Sequence, residues 1–118
     1  MKTGLWFDPL DTAQNSLSSA TTGTGTAIAM NQCTQITGGI EYTAADPPTT
    51  GVLVAEWAFL SSYTGNWYGP LTTVTLADYV AGTADPSFTW PGGLPFVRWR
   101  FTTPSDKAIT AKINGNIN

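Results

Sequence analysis

Residues 94–116 read LPFVRWRFTTPSDKAITAKINGN, and this stretch decides the fold class. In its first run Val97, Trp99, Phe101 and Thr103 alternate with Phe96, Arg98, Arg100 and Thr102. In its second, Ile109, Ala111 and Ile113 alternate with Ala108, Thr110 and Lys112. Side chains alternate across a strand with period two, so each run carries one apolar and one more polar face. Pro104-Ser105-Asp106-Lys107 lies between the runs and has turn chemistry: a proline, then residues that bond their own backbone. The pattern predicts a hairpin that closes an all-β domain.

The rest of the chain repeats the theme. Short strands are predicted at 26–30, at 33–37 with a resumption at 40–43 after a bulge or bend at Gly38-Gly39, and at 52–60. Others follow at 67–68, 71–76 and 87–90. Val52–Leu60 is apolar on both faces apart from Glu56, the mark of a central strand whose second face is also covered. Asp46-Pro47-Pro48-Thr49-Thr50-Gly51 is a loop, because two prolines cannot sit in a ladder. Leu76–Val80 has room for one helical turn. Seven or eight strands at this spacing suggest a sandwich or a barrel, and the expectation is an antiparallel β-sandwich, jelly-roll or Ig-like. The sandwich is assigned to residues 20–118. Met1–Ser19 reads as an N-terminal arm, because Leu5-Trp6-Phe7 is too apolar for water and too short for a helix.

Length and composition bound the function. At 118 residues the chain fits one domain that buries a core without staples. Charged residues are 11%, so the surface is polar but weakly charged, as in Thr-rich β-proteins or in subunits buried within an assembly. Net charge is −3, with no cluster of Lys or Arg, which argues against nucleic acid. No apolar run approaches the roughly 20 residues of a membrane helix, and no signal core follows Met1. Cys33 is the single cysteine and there is no histidine. Ser-His and Cys-His nucleophiles are therefore excluded, and Cys33 reads as a small inert strand residue. Of the eight acids only Glu41 and Glu56 fall on predicted strands; the others fall in turns or loops. No carboxylate pair, calcium loop or phosphate loop emerges. The expectation is a non-enzyme with no cofactor and no metal.

The aromatics carry the remaining signal. Trp57 and Trp99 lie on alternating apolar faces and read as core. Tyr63, Trp67, Tyr68 and Trp90 sit beside turns and read as contact residues, for a subunit interface or for a sugar platform. Leu5, Trp6 and Phe7 join them as candidate interface residues. Glu56 stands alone on an apolar face, and Arg98 and Arg100 stand together on another. Neighbouring strands would dispose of all three charges in one cross-strand cluster.

The segment Thr21-Thr22-Gly23-Thr24-Gly25-Thr26-Ala27-Ile28-Ala29-Met30 resembles the opening of small tailed-bacteriophage virion proteins. Gly65-Asn66-Trp67, Pro95-Phe96-Val97-Arg98-Trp99-Arg100 and Ala108–Gly115 are similar to their later spacing. The resemblance spans Thr21–Gly115 and leaves Met1–Ser19 unaccounted for. It implies a sandwich or jelly roll without an active site, made in the host cytoplasm and built into the virion. There such domains decorate or cement capsids, or form parts of tails and fibres. The partners implied are the major capsid protein and further copies of the chain, as a dimer or trimer. The alternative is a carbohydrate-binding module of a tail or fibre.

Overall fold

The structure is a computed structural model that describes residues 13–79 and 86–116. Eight strands run through these residues: β1 (Gln14–Ala20), β2 (Ile28–Ala29), β3 (Gln35–Glu41), β4 (Val52–Ala58), β5 (Tyr68–Thr75), β6 (Ser87–Pro91), β7 (Phe96–Thr103) and β8 (Ile109–Asn116). They form two four-stranded antiparallel sheets, in the orders β1-β8-β3-β6 and β2-β7-β4-β5. Strand β1 thus pairs with β8, β2 with β7, β3 with β6 and β4 with β5. That is one long hairpin rolled over on itself, the jelly-roll order of the β-sandwich.

The terminal pair is not a hairpin. Strands β7 and β8 lie in opposite sheets, and Pro104–Lys107 is an arch between them. Two strands with one apolar face each can pair edge to edge or face each other across a core, and the alternation is the same in both. The inward face of β7 (Val97, Trp99, Phe101) meets that of β8 (Ile109, Ala111, Ile113) in the core. The Trp99 indole donates across the gap to the Lys112 carbonyl at 3.1 Å. The arch is held by the buried Ser105. Its N–H donates to the Thr21 carbonyl at 2.8 Å and its hydroxyl to the Lys107 carbonyl at 2.6 Å. Asp106 secures the neighbouring loop by accepting from the Thr49 and Thr50 N–H groups and the Thr49 hydroxyl. The Thr49 bonds hold the Asp106 carboxyl well below the usual carboxylate range.

Strand β1 lies within the stretch read as an arm; the boundary at Ser19 passes through it. Its burial is confined to Ser16 and Leu17, and its register against β8 shifts twice, so no period-two signal marks it. Leu5, Trp6 and Phe7 lie outside the described residues. Gly38-Gly39 is neither a bulge nor a bend but the middle of β3, in regular register with both neighbours. A Cβ at Gly38 would collide with the Trp90 ring, whose centroid lies 5.7 Å from that of Trp99, so glycine is needed there for packing. Strand β4 is interior to its sheet, as its two apolar faces require. The turn after β5 is a single 3-10 turn, Leu76–Asp78.

Candidate functional site

The connection from β4 to β5 carries the most unusual chemistry of the surface. Strand β7 begins at Phe96, paired with Ala58, and Pro95 before it has no N–H to give. Beyond Ala58, therefore, β4 has no partner strand. The chain turns out, with the Tyr63 N–H closing onto the Leu60 carbonyl at 3.2 Å. Phe59 and Leu60 are left 62% and 63% exposed, and Tyr63 and Tyr68 stand 40% and 44% exposed beside them. These four line an apolar cleft of about 220 Å³.

The rings are ordered against one another. Trp57, half-buried at the top of the core, meets Phe59 edge to face at 5.0 Å and Tyr68 at 4.8 Å. Tyr63 and Tyr68 lie nearly parallel, 4° apart, with centroids separated by 6.3 Å. Gly65 permits this packing, since a Cβ there would strike the Tyr63 ring. Each large apolar side chain left in water forgoes roughly 1.5–3 kcal/mol of burial. A contiguous exposed group of this kind is a candidate contact surface.

The other flank of the same loop is charged. Glu56 is buried on the outer face of β4, opposite Arg98 in the register. Its Oε2 accepts from Arg98 Nε at 2.8 Å and from Arg100 Nε at 3.0 Å; its Oε1 accepts from Arg100 Nη2 at 3.1 Å. The Arg98 guanidinium lies 3.9 Å from the centre of the Trp67 ring, and the Trp67 indole donates to the Tyr63 carbonyl at 3.0 Å. Gly65 and Asn66 complete a cleft of about 330 Å³ over the arginines. Burial pushes the Glu56 carboxyl up, but the hydrogen bonds and charges of Arg100 and Arg98 outweigh it and hold the carboxyl below its ordinary value. The bonds to Glu56 raise the Arg100 guanidinium in turn. The cross-strand cluster expected from sequence is therefore present, with a cation–π contact added.

The structure sorts the predicted contact residues into two groups. Tyr63 and Tyr68 are exposed and adjacent. Trp67 and Trp90 are not exposed: only 8% and 5% of their surface is accessible. Trp67 is the floor under Arg98. Trp90 packs on Trp99 in the core and donates to the Thr72 hydroxyl at 2.8 Å. A turn beside a tryptophan says nothing about which way the ring points, and both rings point in. Phe59 and Leu60 were hidden in the apolar run 52–60; the one signal for them was Pro95, which ends the neighbouring strand.

Little at the site suits covalent chemistry. Among the described residues, no three His, Cys, Asp or Glu side chains gather as a metal site. Cys33 is buried against Met30, and burial raises its thiol pKa. What the β4–β5 loop can do is bind: flat apolar rings on one flank, guanidinium donors on the other. Compared with known proteins, the chain matches no protein-family model and no curated sequence.

Proposed function

We propose that this protein is a structural component of a phage virion that decorates or cements the capsid, docking on neighbouring shell subunits and on copies of itself. The observation that carries this reading is the exposed group Phe59, Leu60, Tyr63 and Tyr68 on an otherwise well-buried sandwich. Aromatic anchors on a rigid β-scaffold are the usual centre of a protein interface. The jelly-roll order adds a fold-level analogy, since capsid domains and lectins both use it. The weakly charged surface suits burial in a lattice.

The parallel tyrosines favour a second reading, a sugar platform. Sugar sites pair such rings with several directed polar groups. This cleft is lined by Phe59, Leu60, Tyr63 and Tyr68, with only the two tyrosine hydroxyls as polar groups among those side chains. Its chemistry suits an apolar protein surface better. Purified particles of the phage should contain the chain in a fixed ratio to the major shell protein, and a glycan array should show no binding. Absence from particles, or Tyr68-dependent glycan hits, would replace this reading with the second.

A further inference from the structure

Strands β1, β6, β2 and β5 are the sheet edges among the described residues, and all but β5 are guarded. An open edge is a row of unpaired N–H and C=O groups that invites another strand, so natural edges are kept short, bulged or broken by proline. Strand β2 has two residues, β1 shifts register twice against β8, and β6 is bracketed by Pro86 and Pro91. Strand β5 has only Pro70, near its start. From Leu71 to Thr75 it carries no proline and no charge, and from Thr72 to Thr75 it keeps one register against β4.

The outward groups of this edge can be named. The Leu76 N–H donates to the Gly51 carbonyl at 3.0 Å, one step beyond the pair Val52–Thr75. Bonded and non-bonded pairs alternate along an antiparallel ladder. Val74 and Thr72 therefore bond β4 in the same way, opposite Leu53 and Ala55. The N–H and C=O groups of Thr73 and Thr75, with the Leu71 carbonyl, point away from the sheet. Among the described residues no strand lies beyond them, and both threonines are exposed.

We propose that this edge pairs with the same edge of a second copy, antiparallel about a two-fold axis at Thr73. Each Thr73 N–H then meets the Thr73 carbonyl of the other copy, and each Thr75 N–H meets the other copy's Leu71 carbonyl. The strand suits itself as a partner. It is uncharged, so no like charges are opposed, and facing threonines are a favourable cross-strand pair. A short strand pair does not by itself reach the roughly 1,000 Å² of a stable interface. The exposed aromatic group supplies the remainder, because Tyr68 belongs to it and is also the first residue of β5. The inference rests on the self-docking proposed above and gives it a geometry.

The test takes the full chain through a concentration series, with sedimentation velocity and amide hydrogen exchange read by NMR. The Thr73 and Thr75 amides should slow at least about tenfold as the dimer fills, while Val74 and Leu76, bonded inward in either state, stay unchanged. Thr73→Lys and Thr73→Glu each set like charges at the axis and should weaken self-association at least about tenfold, yet the two variants mixed should associate about as well as wild type. A chain monomeric at every concentration overturns the proposal. So does a dimer whose Thr73 and Thr75 amides exchange at the monomer's rate, or a folded pair of charge variants that fail to complement each other. If a variant does not fold, the wild-type exchange decides alone. If the edge stays open while the chain still attaches to particles, this inference falls and the cement reading stands; a paired edge in a chain absent from particles reverses that outcome.

Discussion

Replacing Glu56 with Gln removes the carboxylate and leaves its space filled. The wild-type group accepts three hydrogen bonds from two guanidiniums, at 2.8, 3.0 and 3.1 Å. The substituted amide retains one carbonyl acceptor and turns an NH₂ donor toward an arginine that is itself only a donor. The two guanidiniums, both bonded to Oε2 in the wild type, are then left side by side without a counter-charge. Breaking a fully buried pair this way costs about 3–5 kcal/mol, and an exposed one about 0–1. The Glu56 side chain is 6% exposed, but those of Arg98 and Arg100 are 19% and 38% exposed, so solvent screens part of the loss. The expected cost is about 2–3 kcal/mol. Urea unfolding at pH 7 should show a lower midpoint with an unchanged slope. The pH dependence supplies a second check. The folded Glu56 pKa lies below its unfolded value. Its stabilisation is therefore complete above the ordinary carboxylate range and is lost as pH falls through the folded value. The gap between wild type and E56Q should be full at pH 7 and close in acid. A gap under about 0.5 kcal/mol at neutral pH, or one that stays constant into acid, would refute the reasoning.

Gly38→Ala should destabilise by about 1–3 kcal/mol, because the new methyl meets Trp90, which is itself pinned by Trp99 and by the Thr72 hydroxyl; calorimetry checks it. Cys33 should resist thiol reagents in the native protein at pH 8 and react fully in denaturant, because burial both shields it and raises its pKa. Phe59→Ser with Tyr63→Ser should cost about 0.5–1.5 kcal/mol per site, the ring pairing lost, and leave the fold intact while abolishing concentration-dependent self-association in sedimentation velocity.

Strand identity was legible because period-two alternation is local: Val97, Trp99 and Phe101 face the core as the spacing implies. Strand partnership was not, since β7 and β8 show the same alternation whether they pair in one sheet or face each other across two. Strand β1 was missed because its twice-shifted register leaves only Ser16 and Leu17 buried. The charge cluster was legible from one acid on an apolar face and two arginines at alternate positions. The exposed aromatic group was half legible. Tyr63 and Tyr68 follow from turn position, but ring direction is a tertiary matter, and it turned Trp67 and Trp90 inward. Phe59 and Leu60 required knowing that β7 begins only after Pro95.

The central claim is that the chain acts by docking through the β4–β5 loop. It is tested most directly by quantitative mass spectrometry of phage particles assembled with wild-type chain or with the Phe59→Ser, Tyr63→Ser variant. The account predicts wild-type chain in fixed ratio to the major shell protein and at least a tenfold loss of the variant from particles, with the variant still folded. Particles that lack the wild-type chain, or that hold the variant at the wild-type ratio, would contradict it.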